Sequence, residues 1–151
     1  MDNNNVFIKK KNLSVSEILN DLNDGKIRIV EEFPNREKWD QHKKSRFIEA
    51  ILLGIQLKEL YMRENQDNTL DLVDSQERIE VLRSYLNDEF SMVNLYNLPQ
   101  YNNMTFENLP VTMRNKLREH RILTFIIDKS SYREPADYMC KRINQGMEVT
   151  L

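Results

Sequence analysis

The spacing of apolar positions along this chain changes several times, and each change marks an element. Val15, Ile18, Leu19 and Leu22 recur at helical spacing behind Ser14-Val15-Ser16-Glu17, where Ser is followed by Glu three residues later as in a capping box. Gly25 stands where such a helix stops. Ile27 to Phe33 alternates apolar and polar residues and predicts a strand. From Trp39 to Leu53 the period is helical again. Phe47, Ile48, Ile51, Leu52 and Ile55 share its buried face, Arg46 and Glu49 pair on its surface, and Gly54 ends it. Residues 57–63 and 69–73 read as two strands joined by the polar loop 64–68, with Leu70 and Leu72 on one face. The chain then turns directly into a helix over 76–86 with Ile79, Leu82 and Leu86 inward.

Residues 90–110 are irregular, rich in aromatics and asparagine, and interrupted by Pro99 and Pro110. A short helix over 111–119 precedes the β-branched run Arg121 to Ile127, which predicts a buried strand. Pro135 suits the first position of a last helix that reaches about Asn144, with Gly146 as its stop. Residues 1–12, with Lys9, Lys10 and Lys11, carry no such pattern and predict a mobile polar tail. The order is that of one small α+β domain over 13–151, a mixed sheet with a hairpin and surrounding helices, with no boundary after residue 12.

Composition narrows the classes. With 22 Lys+Arg against 24 Asp+Glu, the net charge of −2 offers no global basic field for nucleic acid. Cys140, the single cysteine, excludes an internal disulfide and a cysteine zinc cluster, and reads as a small buried residue. His42 and His120 stand far apart with no third ligand in metal spacing. The longest apolar run, Ala50 to Ile55, is far short of a membrane span, and the N-terminus has no signal-peptide core. The expectation is a cytoplasmic protein without a membrane partner.

The segment richest in candidate chemistry is Val73-Asp74-Ser75-Gln76-Glu77-Arg78, a strand running into a helix N-terminus. Free N–H groups and the positive end of the dipole favour an anion there. Arg78 offers a fork for phosphate oxygens, Asp74 a carboxylate for Mg²⁺, and Gln76 an amide to orient a phosphate or a water. The same residues also read as an acidic N-cap, Asp74 with Glu77 three later, and ordinary surface charges. A second candidate is the basic cluster Arg36, Lys38, Lys43, Lys44 and Arg46 around Trp39, either a nucleic-acid surface or a solvated helix face beside a core tryptophan.

Several pieces in order resemble the DGQQR-motif domain of the ParB/sulfiredoxin-like superfamily, the N-terminal half of GmrSD-type modification-dependent restriction enzymes. After the opening helix, Gly25 and strand come Arg36 and Trp39, then Ser45-Arg46-Phe47-Ile48-Glu49-Ala50-Ile51-Leu52-Leu53-Gly54-Ile55, similar to S-x-x-I-E-S-x-L-L-x-I-P. Residues 73–78 fall on V-D-G-Q-Q-R, Phe106-x-x-Leu109-Pro110 on F-x-x-L-P, and Arg142-Ile143-Asn144-x-Gly146 on R-L-N-x-G. The resemblance covers residues 13–151 and implies a nucleoside-triphosphate-binding, NTP-hydrolysing domain of a phage-defence or restriction system, working with DNA and a nuclease domain or subunit. By position it implies Asp74 and Gln76 as catalytic residues, Asp74 as the Mg²⁺ ligand, and Arg36, Ser75, Arg78 and Asn144 as nucleotide contacts. The chain departs from the motif at Ser75, where the family has glycine, at Glu77, where it has glutamine, and at Gln56, where it has proline. A second reading therefore stands beside the first: a DNA- or protein-binding adaptor with a decayed turn, in which Lys38, Lys43, Lys44 and Arg46 make the contacts.

Overall fold

The computed structural model describes residues 5–147. In chain order its elements are β1 (Ile8–Ser14), α1 (Val15–Asn23), β2 (Ile27–Arg28), α2 (Gln41–Leu52), β3 (Leu60–Glu64), β4 (Leu70–Leu72), α3 (Gln76–Leu86), α4 (Val111–Glu119), β5 (Arg121–Ile127) and α5 (Arg133–Asn144), with two short 3₁₀ turns between α3 and α4. The strands form one mixed sheet in the order β1-β5-β3-β4-β2. β1 runs antiparallel to β5 and β4 antiparallel to β3, while β3 pairs parallel with β5 and β2 parallel with β4. The fold is α+β, as the pattern predicts.

Alternation along the strands divides the core in two. Leu60, Met62, Ile122 and Ile126 face a large cluster built with Val15 and Ile18 of α1, Ile48 and Ile51 of α2, Ile79 and Leu82 of α3, and Leu117 of α4. Tyr61 and Ile127, pointing the other way, meet Ala136, Cys140 and Ile143 of α5. Each fully buried Leu or Ile contributes about 1.5–3 kcal/mol, so a helix on each face fixes the sheet between them.

Helix ends obey local chemistry. Ser14 caps α1 by accepting the Glu17 N–H and donates its hydroxyl to the Glu17 carboxylate, so the serine arm of the expected capping box forms, while the carboxylate meets the Ser14 hydroxyl rather than its backbone N–H. Asp40 caps α2 by accepting the Lys43 N–H. At the other end of the chain, α5 stops on a glycine. Gly146 has φ +80°, and the Met147 N–H reaches back to the Arg142 carbonyl at 3.0 Å, a Schellman closure that a side chain would strain.

Several expectations need correction. Residues 8–12 are no tail: they belong to β1, an edge strand whose seven residues pair with β5, Ile8 opposite Ile127 through Ser14 opposite Arg121. Lys9 bonds Glu64 and Asp128, and Lys10 lies 5.6 Å over the Phe125 ring. β2 is two residues rather than a strand to Phe33, because only Ile27 and Arg28 find partners, on β4. Ile55 is 51% exposed, beyond the turn that ends α2. Glu49 is buried and does not pair with Arg46; it accepts the N–H groups of Asn97 and Leu98 at 2.9 Å each, pinning the irregular segment. α5 starts at Arg133, so Pro135 is its third residue and not its first. Among the described residues, no helix is long and apolar enough to cross a membrane.

Candidate functional site

Val73 continues the β4 edge, its N–H donating to the Tyr61 carbonyl at 2.9 Å. Asp74 and Ser75 then turn the chain into α3. Ser75 is the residue before the helix and has φ +61°, ψ +28°, the left-handed conformation that costs a non-glycine residue about 1 kcal/mol or more. The DGQQR motif that this turn resembles has glycine at that position, the residue that adopts this conformation at least cost. Ser75 makes no side-chain cap to α3. α4 and α5 also start without one, whereas α1 and α2 are capped. The acidic N-cap expected as the bland alternative does not form: neither Asp74 nor Glu77 caps this turn.

The turn forms one wall of a cleft of about 270 Å³. Arg36, Asp74, Ser75, Gln76, Arg78 and Asn144, drawn from three separated stretches of sequence, all line it, together with Glu37, Trp39, Lys58 and Glu77. Two polar latches hold this assembly. Asn144, at the end of α5, donates to the carbonyls of Pro34 (3.1 Å) and Val73 (2.9 Å), while its oxygen accepts the Arg36 Nε–H (3.2 Å). Glu77, in the first turn of α3, accepts the Trp39 N–H (2.8 Å) and the Asn35 amide (3.1 Å), closing the 35–39 loop over the helix end.

These bonds redistribute the expected roles. Every hydrogen-bonding group of the Asn144 amide is engaged within the protein, so Asn144 positions Arg36 and has no free donor for a ligand. Gln76 is buried, and its NH₂ donates to the Phe33 carbonyl (2.9 Å) and, at 3.4 Å, to that of Leu72. What it has left is the acceptor oxygen, which suits a water or an N–H rather than a phosphate. Arg78 donates to the Lys58 carbonyl (2.6 Å), the Glu59 carbonyl (3.0 Å) and the Ser75 hydroxyl (2.7 Å), leaving two of its five N–H groups. It stitches α3 to the chain entering β3, and its removal therefore disturbs the fold as well as any binding. Ser75 directs its hydroxyl to Arg78, not into a ligand's path.

Three segments bring three cations into this one cleft. Among the described residues, none of Arg36, Lys58 and Arg78 lies within 4 Å of a carboxylate oxygen, although Glu37, Asp74 and Glu77 line the same cleft. Glu77 is turned to the loop, and Glu37 bonds the Trp39 indole and lies near Lys43. Asp74 has one carboxylate oxygen buried with no hydrogen-bond partner. Burial pushes its carboxyl up to about 6, against the pull of Arg78, Lys58, the Tyr61 backbone and the Ser75 hydroxyl. Burial also lowers the Arg78 guanidinium from its ordinary value, with Asp74, Glu59 and Glu37 acting the other way.

The second candidate looks different. Lys43 sits 4.7 Å over the Trp39 ring, Lys44 5.6 Å over Phe90, and Arg46 4.3 Å over Tyr96, whose hydroxyl it also bonds. Lys38 is exposed. Three of the five basic residues of this cluster, Lys43, Lys44 and Arg46, thus cover the protein's own aromatics.

Comparison with protein-family models, with curated proteins and with solved structures finds no match to this chain. The cleft must be read from its own residues and from the motif order. The motif pieces hold Arg36, Trp39, residues 74–78, Ile143, Asn144 and Gly146 of its walls but not Pro34, Asn35, Glu37 or Lys58; Lys58, expected in a strand over 57–63, lies before β3, which starts at Leu60.

Proposed function

We propose that this cleft binds a nucleoside triphosphate, and that the chain is the nucleotide-binding regulatory domain of a phage-defence or modification-dependent restriction system. One observation supports it above the rest: three cationic side chains from three segments line one cleft, at a helix N-terminus, with no carboxylate paired to any of them. Unpaired positive charge in a partly desolvated cleft is stabilised by an anion, and a polyphosphate supplies several. The DGQQR-like order of motifs favours a nucleotide over other anions, and by the same resemblance a nuclease domain or subunit acting on DNA is the partner.

Asp74 fits Mg²⁺ in kind. Its orphaned oxygen lacks a donor, and Mg²⁺ ordinarily takes one or two carboxylates and completes its shell with phosphate oxygens and water. No cluster of three or more His, Cys, Asp or Glu able to hold a metal occurs among the described residues, so the nucleotide would have to bring most of the ligands. The ion would supply neutralisation of phosphate charge. The protein's own part is to hold Arg36 toward the phosphates through Asn144, to fix Arg78 beneath them, and to offer the Gln76 oxygen to a water. Hydrolysis, if the domain performs it, uses Asp74 and that water.

The test is calorimetric titration with ATP, GTP, CTP and UTP, with and without Mg²⁺, beside Arg36→Ala. Arg36 is exposed, and its side-chain hydrogen bond among the described residues goes to Asn144, so the variant keeps its melting temperature and loses roughly tenfold or more in affinity, the worth of one charge-assisted contact. Undiminished affinity in Arg36→Ala, or no binding of any triphosphate to a well-folded wild type, rejects the assignment. The adaptor reading ranks second, because Lys43, Lys44 and Arg46 already cover aromatic rings. Salt-sensitive DNA binding indifferent to nucleotide would raise it.

A further inference from the structure

Resting on that reading, we infer that Lys58, which lies outside every motif, is a phosphate-binding residue of the cleft, and that Arg78 presents it. The signature arginine and the lysine divide one task. Arg78 grips the carbonyls of Lys58 and Glu59 with separate nitrogens, so the backbone under Lys58 is fixed to the first turn of α3. On one side of this short loop Leu57 packs against the main core; on the other Leu60 opens β3 and is fully buried. The backbone of Lys58 is therefore held from three directions, while its side chain is exposed, lines the cleft, and has no carboxylate within 4 Å among the described residues.

A lysine placed this way differs from those the fold ties to a carboxylate or a ring. Lys9 is paired to Glu64 and Asp128, and Lys10, Lys43 and Lys44 lie over rings. Lys58 lines the same cleft as Asp74, Ser75 and Gln76, the residues that open α3. Its backbone is already ordered, so recruiting its ammonium costs only the freedom of one side chain. Arg78, with three N–H groups committed to the protein, is left the lesser share of ligand contact. Arg36 and Lys58, whose cationic ends are free, take the greater.

The experiment takes the triphosphate that binds wild type best and compares it with its di- and monophosphate and its nucleoside, by calorimetry on wild type, Lys58→Ala, Lys58→Arg and Arg78→Ala. Lys58→Ala is expected to weaken the triphosphate about tenfold, the diphosphate less, and the nucleoside not at all, with an unchanged melting temperature. Lys58→Arg should restore most of the loss. Arg78→Ala should lower the melting temperature together with affinity, because it releases the loop. Wild-type affinity for the triphosphate in Lys58→Ala, or an equal loss for nucleoside and triphosphate, overturns the inference while leaving nucleotide binding standing. A wild type that binds no triphosphate overturns both.

Discussion

Arg63 on β3 and Arg78 on α3 are both partly buried, yet their surroundings differ in kind. Arg63 reaches Asp71 at 2.7 Å and pairs with Glu32 and, at 3.7 Å, with Asp137, while Arg28 closes on the other Asp71 oxygen at 3.1 Å. Its guanidinium also stacks 4.8 Å from the Phe33 ring. Asp71 is 2% exposed, and that network ties β2, β3, β4, α5 and the loop between β2 and α2 into one body. Arg78 meets two carbonyls and a hydroxyl, and no carboxylate comes within 4 Å. A closed circuit of charge serves to hold a sheet edge together. Cations that share a cleft with Asp74 but close no pair within 4 Å among the described residues are what the proposed anion site needs.

The largest effect should come from breaking the closed circuit. Arg63→Ala leaves the buried Asp71 carboxylate with only the more exposed Arg28, and should cost about 3 kcal/mol by urea denaturation. A loss under about 1 kcal/mol would mean that these are surface pairs and that the contrast is empty.

The cleft should respond in the opposite sense. The folded-state carboxyl of Asp74 sits near 6, above its ordinary 3.8, so the folded protein binds a proton there more readily than the unfolded chain. Its ionisation therefore weighs against folding at high pH, and the penalty fades as pH falls through 6 toward 3.8. Asp74→Asn in metal-free buffer should gain about 3 kcal/mol at pH 7.5 and about 1 kcal/mol at pH 4.5. A gain that does not change with pH would show that the carboxylate is not strained by its burial.

A smaller test isolates the turn. Ser75→Gly and Ser75→Ala both remove the hydroxyl that accepts from Arg78, but only glycine relaxes φ +61°. The glycine variant should be the more stable of the two by about 1 kcal/mol. Equal melting curves would show that the turn stores no strain at Ser75.

How much of this is legible in the sequence differs between the same two regions. The bounds of α3 and β5 are readable from their apolar residues and those of α4 from Pro110 before it and the apolar strand after it, and the motif order assembles most of the cleft before any contact is known. The Arg63 circuit leaves no trace in the pattern. Asp71 sits between Leu70 and Leu72 and reads as the solvent side of an alternating strand, yet it is buried by partners that arrive from β2 and β3. Likewise Glu49 reads as a surface partner for Arg46, and only the fold of residues 90–98 gives its carboxylate two N–H groups. β1 escapes the pattern because an edge strand needs little apolar patterning, and Lys-Lys-Lys-Asn shows none. Lys58 escapes it because position, not residue type, gives it its candidate role.

That edge strand also bears on how the chain is made. β1 leaves the ribosome before its partners on β5, which are synthesised more than a hundred residues later. Until then its hydrogen-bonding edge has nothing of its own to close on, and so long a closure makes its docking one of the slower steps of folding. Three consecutive lysines keep the waiting segment from pairing with the wrong neighbour, including another growing copy of itself. Charges that in the finished sheet pair with Glu64 and Asp128 or lie over Phe125 thus have an earlier use, as a safeguard during synthesis.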